Sequence, residues 1–402
     1  MRIVADADIL SVRECFSELG ELELVDGRQI NSRQLRNADA LLVRSITKVD
    51  ERLLSDSAVR FVGTATSGTD HVDAEYLQDR GIQFSHAGGC NANAVTEYCF
   101  AALALLARQR GWSPKGKVFS LIGAGHVGGL LARKLRALDF QCMAFDPVID
   151  ASRQAQLEAC GVEFVGYRDA LQADLVSFHV PLIRSGRHPT YHQLSMNDIR
   201  NLPRDCVLLN TSRGPVIANA DLKQVLTERN DIAVALDVWE EEPCLDPALL
   251  ELVSLGTPHI AGYSVEAKLN ATNGLLTGFC KFFRVSLPDV TKPDVTKTDV
   301  TKPEVTGAGN DLQQLNFEER QWDHDDSFCS SLILKALPVD QIDKDLRARI
   351  AGNSGQGAAT FDLLRRQLAG RHEFSSYQLA GENLSIEQQR LMQVLGFSVS
   401  RH

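Results

Sequence analysis

Residues 121–129 read LIGAGHVGG, with Gly123, Gly125 and Gly128 in GxGxxG spacing. An apolar strand, Lys117–Ile122, leads into the glycines and a helix running through Leu135 leads out. The first glycine permits a tight turn, the second lets a pyrophosphate approach the backbone, and the third lets helix and strand pack closely. Phosphates then sit at the helix N-terminus, against unpaired N–H groups. Alone, the spacing is a weak signal; its surroundings give it weight. The next strand, Gln141–Phe145, ends at Asp146, about 20 residues downstream, where an acid takes the ribose hydroxyls of a dinucleotide. An acid there repels a 2′-phosphate, so NAD is expected over NADP. A turn cap before Pro147 is the other reading of Asp146.

Alternation of short apolar runs with helical patterns fills most of the first 285 residues. Met1–Ala5, Ala38–Val43 and Val59–Gly63 read as buried strands. A long amphipathic helix is expected over 92–109, and Ala173–Phe178, Cys206–Asn210 and Ile232–Asp237 read as further strands. This pattern predicts an α/β chain with two doubly wound parallel-sheet domains of Rossmann or flavodoxin type. Segments 1–95 and 260–285 are assigned to one domain and 96–259 to the other. From Pro288 the chain repeats PDVTK, PDVTK, TDVTK, PEVTG, which has no apolar face to bury and reads as an extended spacer within 286–309. A small α+β domain is expected over 310–402, with a strand at Ser330–Ala336 and an amphipathic helix at Thr360–Leu368.

A net charge of -10 argues against nucleic acid as a partner, which calls for clustered Lys and Arg. A small anionic substrate remains compatible, because a pocket can be locally positive. The nine cysteines show no CxxC spacing, so neither a disulfide framework nor a metal site is expected, and reduced thiols fit a cytoplasmic protein. The longest apolar run, Tyr98–Ala107, is far short of the ~20 residues of a membrane span.

Chemistry concentrates after the later strands. Cys206–Asn210 runs into Thr211, Ser212, Arg213 and Gly214, placing an arginine where open α/β sheets bind ligands. A guanidinium there can hold a carboxylate bidentately and polarise a neighbouring carbonyl; an exposed ion-pair partner is the alternative. Ile232–Asp237 leads to VWEEEP, with Glu240, Glu241 and Glu242 before Pro243. Three acids together usually form a solvated face, yet one can orient a histidine, and His259 follows as the next strand ends. Arg, acid and His are the set needed to take a proton and a hydride from a 2-hydroxy acid.

LIGAGHVGG, FHVPL, LLNTSRG, ALDVWEEEP and TPHIAGYS together resemble the D-2-hydroxyacid dehydrogenase superfamily over residues 1 to about 285. The resemblance implies Arg213, Glu242 and His259 as the catalytic set, Glu242 being the acid directly before the proline. It also implies cofactor contacts at Gly123, Gly125, His126, Val127, Gly128, Asp146, Val180, Thr211, Ser212, Arg213, Asp237 and Gly262. LLVRSITKVD, GTATSGTDHVD, GYSVEAK and FDLLRRQLAGRHEF are similar to a branch of the family that acts on a small phosphorylated 2-hydroxy acid. That likeness implies substrate contacts at Ser45, Thr66 and Tyr263, a substrate-binding role for the first domain, and a homodimer formed through the C-terminal domain. Ordinary turn capping is the alternative for Ser45 and Thr66. Arg44 and Lys48 are the candidate cations for the phosphate. His126 stands where the family has Asn or Gln, and the repeat is foreign to the family pattern. Two other functions fit the motifs: dehydrogenation of another 2-hydroxy acid such as phosphoglycerate, and NAD(H) sensing without catalysis.

Overall fold

The runs ALLV and FVGT carry no polar face, and as strands they are buried on both sides, which parallel sheets require. In the computed structural model, which describes residues 1–111, 116–288, 313–315, 330–352, 357–379 and 385–399, they are the middle of a five-stranded sheet. Its strands are β1 (Arg2–Asp6), β2 (Glu21–Val25), β3 (Ala40–Val43), β4 (Phe61–Thr64) and β5 (Gln83–His86), all parallel, in the order β2-β1-β3-β4-β5. The Val265–Phe283 helix belongs to this unit and presents Leu275, Leu276, Phe279 and Cys280 to its core. Phe279 meets Phe16 and Phe61 edge-on, with ring centroids 5.5 and 5.6 Å apart. Burying a large apolar side chain of this kind contributes roughly 1.5–3 kcal/mol.

A second unit contains seven parallel strands: β6 (Val118–Ile122), β7 (Gln141–Phe145), β8 (Val162–Phe164), β9 (Leu175–Phe178), β10 (Val207–Asn210), β11 (Ala233–Leu236) and β12 (Leu255–Gly256). Their order is β12-β11-β10-β9-β6-β7-β8, so chain direction across the sheet reverses at β6 and opens a crevice at the C-terminal ends of β6 and β9. The unit boundaries fall at Asn91/Ala92 and Tyr263/Ser264, rather than at 95 and 260. The reason is local: the Ala92–Arg110 helix packs with the second unit from its first residue, and the backbone through Ala261 is held by that unit's Asp237.

That helix is not amphipathic as expected. Ala92 and Ala94–Ala107 are all buried, because the C-terminal segment covers its other side. Ser330–Ala336, read from sequence as a strand, is a helix whose Leu332, Ile333 and Leu334 enter the core of the second unit. Further helices, Val339–Gly352, Gly357–Gln367 and Ile386–Leu395, accompany a parallel three-stranded sheet of Gln313–Leu315, Tyr377–Leu379 and Ser398–Val399. The repeat runs over 288–307, and all of it after Pro288 lies outside the described residues. Among the described residues no helix is long and apolar enough to cross a membrane, and no cluster of His, Cys, Asp and Glu could hold a metal ion.

Candidate active site

The glycine loop has the shape its sequence implies. Gly123 adopts φ +94, and a Cβ there would lie 2.7 Å from the His179 carbonyl oxygen and 2.9 Å from a Val180 methyl. Residues with side chains rarely accept that backbone. A Cβ on Gly128 would stand 2.0 Å from the Gly123 carbonyl oxygen, so the helix packs on the strand only without it. At Gly125 the added atom meets nothing within 4 Å, and the His126–Ala137 helix that it caps has no side-chain cap. An uncapped helix N-terminus with open space beside it is suited to phosphate. His126 is exposed on the first turn, and Val127 is half-buried beside it. Asp146 ends β7 and accepts the Ala124 N–H at 2.9 Å through one oxygen and the Val148 N–H at 3.1 Å through the other. It thus anchors the glycine loop, a link that sequence spacing did not reveal. Open space at Gly125, a helix N-terminus without a side-chain cap and an acid at the end of β7 fit the requirements of NAD.

Two residues missed from sequence shape the turn after β10. Buried Asn210 accepts the Ser212 N–H at 3.1 Å and its hydroxyl at 2.8 Å, while its amide donates to the Arg213 carbonyl at 3.0 Å. Asn210 thereby staples the Thr211–Arg213 turn shut. His179, at the end of β9, shares a hydrogen bond with Ser177 (2.8 Å) and a longer one with Thr211 (3.3 Å). Burial pushes its pKa down to about 3, so it stays neutral. Arg213 lies in extended backbone with Nη1 donating to the Ser212 carbonyl at 2.8 Å. The next residue, Gly214, touches the Trp239 carbonyl so closely that a Cβ would sit 1.9 Å away. That contact brings the arginine turn against the WEEEP turn.

Within WEEEP the acids separate. Glu241 is exposed, whereas Glu240 and Glu242 each hold a histidine. The His259 Nδ1–H donates to Glu242 Oε2 at 2.7 Å, and Glu242 Oε1 accepts the Trp239 N–H at 2.8 Å. Burial disfavours the Glu242 carboxylate, but the His259 charge and hydrogen bond, with the Trp239 N–H, outweigh it and hold the pKa below the usual value. Among the described residues the other ring nitrogen of His259, Nε2, has no hydrogen-bond partner.

His259 sits at φ +54, a conformation costing about 1–2 kcal/mol for a residue with a side chain. Asp237 enforces it. Its carbonyl accepts the His259 N–H at 2.7 Å, and its buried carboxylate accepts the N–H groups of Ile260 and Ala261 at 2.8 and 2.9 Å. The Thr257 hydroxyl donates to the same carboxylate at 2.7 Å and receives the Tyr98 hydroxyl at 2.6 Å. Gly262 and Tyr263 follow, both half-buried, with the Arg365 guanidinium 5.7 Å from the Tyr263 ring centroid.

In the first unit, Ser45 and Thr66 follow the C-terminal ends of adjacent strands β3 and β4. Ser45 is exposed; the Thr66 hydroxyl donates to the Gly68 carbonyl at 2.7 Å and bonds the Thr64 hydroxyl at 2.8 Å. The candidate cations are already engaged. Arg44 clamps buried Asp6 at 2.9 and 3.1 Å and reaches Asp8 at 2.7 Å. Lys48 pairs with Asp50 at 3.1 Å and is 81% exposed.

Strand order, glycine loop and the His259–Glu242 pair are compatible with a nicotinamide-linked hydroxyacid dehydrogenase architecture. A family model, D-isomer specific 2-hydroxyacid dehydrogenase, NAD binding domain, matches residues 103–261. The chain belongs to the D-isomer-specific 2-hydroxyacid dehydrogenase family. It is 39% identical to the erythronate-4-phosphate dehydrogenase of Marinobacter nauticus, over 96% of this chain and 97% of that one. To the enzyme of the same name from Proteus mirabilis it is 36% identical over the whole of both. The D-lactate dehydrogenase of Aquifex aeolicus, solved with NAD and lactic acid, shares the fold with TM-score 0.59 and 21% identity, over 71% of this chain and 96% of that one. NAD+-bound 3-phosphoglycerate dehydrogenase of Entamoeba histolytica gives TM-score 0.59 and 22% identity, over 71% and 95%.

Proposed function

We propose that the protein is an erythronate-4-phosphate dehydrogenase, oxidising 4-phospho-D-erythronate at C2 to (R)-3-hydroxy-2-oxo-4-phosphooxybutanoate in pyridoxine 5′-phosphate biosynthesis. The observation that carries the chemistry is the His259–Glu242 pair, with Nδ1 bound to the carboxylate and Nε2 left to reach outward. His259 Nε2 removes the proton of the C2 hydroxyl, and Glu242 stabilises the imidazolium that results. Arg213 binds the substrate carboxylate and polarises the forming carbonyl, its turn fixed by Asn210. Ser45, Thr66 and Tyr263 supply hydroxyls for a polyhydroxylated chain.

The cofactor is held by Gly123, Gly125, His126, Val127 and Gly128 at the pyrophosphate and by Asp146 at the ribose. Val180, Thr211, Ser212 and Gly262 line the rest of its path, while Asp237, wholly buried with its carboxylate bound to Thr257, Ile260 and Ala261, supports the site from behind rather than touching the cofactor. When bound, NAD accepts the C2 hydride. Full-length similarity to enzymes of this name supports the choice of substrate. We also infer a homodimer formed through the C-terminal segment, which exposes Leu363 and Ile386, and a cytoplasmic setting, which the free thiols of all eight described cysteines favour.

The test is turnover of NAD with a panel of phosphorylated 2-hydroxy acids. Highest kcat/KM on 4-phosphoerythronate is the expected result. Preference for 3-phosphoglycerate would transfer the protein to the neighbouring activity. Tight NADH binding with no turnover of any acid would make it a sensor. Sedimentation of chains with and without 310–402 tests the dimer.

A further inference from the structure

The stretch after His259 has its backbone polar groups bound from two directions. The N–H groups of Ile260 and Ala261 go to the Asp237 carboxylate, while their carbonyls go to the C-terminal segment, where Arg371 Nη1 donates to both at 3.0 Å. Arg371 Nη2 donates to the Ala94 carbonyl, also at 3.0 Å, so one guanidinium ties this stretch to the start of the long buried helix. The Arg371 side chain is 6% exposed. A buried carbonyl needs a partner, and only a guanidinium offers a planar fork able to serve three of them at once.

Arg371 is itself held in place. Glu97, fully buried, lies 3.9 Å away and accepts the Phe374 N–H and the Asn93 amide, both at 2.9 Å. Asn93 also donates to Glu373 at 2.7 Å and accepts from Lys134 at 3.0 Å. The C-terminal segment grips the approach to His259 as well. Asp343 accepts the Gly256 N–H at 2.7 Å, and Arg347, ion-paired to Asp343, donates to the Val253 carbonyl at 2.9 Å.

We propose that Arg371 is a positioning residue for His259, and that the C-terminal segment serves catalysis within its own chain by bracing the His259–Ala261 backbone. His259 holds an unfavourable φ only while its neighbours are fixed. Releasing the two carbonyls frees the imidazole to wander, and small misplacements of a reacting group reduce rate steeply. The catalytic consequence rests on the proposed dehydrogenase activity; the mechanical one does not.

The experiment uses full-length Arg371→Ala and Arg371→Lys proteins. Amide hydrogen exchange across 256–263 is read without cofactor or substrate; kcat and KM are normalised to sites that bind NADH. In Arg371→Ala, exchange at Ile260 and Ala261 accelerates at least about tenfold, and kcat per NADH-binding site falls about tenfold to a hundredfold, with NADH affinity within about twofold of the parent. Lysine, with one ammonium for two carbonyls, restores part of both. If the alanine protein does not fold, an intermediate exchange rate and kcat in Arg371→Lys carry the same conclusion. Parental exchange and parental kcat per NADH-binding site in the folded variants would overturn the proposal. If the parent oxidises no hydroxy acid, the functional reading fails, while exchange still decides whether the brace exists.

Discussion

The second unit contains two histidine–glutamate pairs built from one acidic run. His259 binds Glu242 and His192 binds Glu240; both histidines are left-handed, at φ +54 and +52. Their exposure is nearly the same, at 33% and 37%. What separates them is the ring nitrogen used. Glu242 takes the Nδ1 of His259 and leaves the outer nitrogen for chemistry, whereas Glu240 takes the Nε2 of His192 at 2.5 Å. The His192 ring also stacks on Tyr191 at 3.9 Å, and Glu240 exchanges hydrogen bonds with Asn219, accepting its N–H at 2.9 Å. A histidine beside a carboxylate is thus no signature in itself. With the carboxylate on Nδ1, His259 keeps Nε2, at the tip of its ring, as the nitrogen that could take a proton.

The largest expected effect tests this asymmetry. His259→Ala should lower kcat by about 10³-fold with NADH affinity nearly unchanged, whereas His192→Ala should stay within about threefold of the parent. Steady-state kinetics with NADH fluorescence titration decides it, and comparable losses in both would erase the distinction. Next come the carboxylates. Glu242→Gln should reduce kcat about 10²-fold, while Glu240→Gln should leave kcat intact and lose about 1–2 kcal/mol in urea unfolding. The folded pKa of Glu242 is depressed, so its contribution to stability is complete above the ordinary carboxylate range and disappears as pH falls through the folded value. Acid unfolding of Glu242→Gln should lack that component.

An outward-facing and an inward-facing position are contrasted again in the glycine loop. Gly125→Ala should weaken NADH at least about tenfold without changing Tm, since its Cβ meets only the space a phosphate needs. Gly128→Ala should lose stability first, because its Cβ collides with backbone. The smallest effect concerns Glu97, whose pKa burial raises to about 8. A raised carboxyl is protonated more readily folded than unfolded, so it adds stability at low pH and loses it as pH rises through about 8. Thermal melts of Glu97→Gln should fall less steeply across that range than those of the parent.

Most strands and the glycine loop were legible because their apolar runs were bounded by glycine or acid. Edge strands escaped: β2 (ELELV) and β5 (QFSH) mix polar residues with apolar ones and bury none completely, and β8 has three residues, too few for any period to register. Ser330–Ala336 misled for a physical reason. A helix buried on nearly every side loses its 3.6-residue stripe, so SSLILKA looks like a buried strand. The same effect hid the true character of Ala92–Arg110. At the site, Glu242 and His259 could be paired from motif order, but the choice of ring nitrogen could not. Asn210 and His179 lay inside quoted motifs and went unassigned, since their partners are backbone and hydroxyl groups brought near only by the sheet. Arg44 looked free for a ligand until folding brought Asp6 beneath it. Arg371 lay inside the quoted FDLLRRQLAGRHEF and went unassigned, for its partners are carbonyls, which every residue carries.

The contact between Arg371 and Ile260 bridges 111 positions along the chain. At synthesis rates of about 5–20 residues per second, the histidine leaves the ribosome roughly 6–22 s before the arginine that steadies it. Each newly made molecule therefore passes through an interval in which its reactive groups are present but untuned. On the proposed bracing, a chain cut short after the second sheet would carry the catalytic residues without the arginine that steadies them.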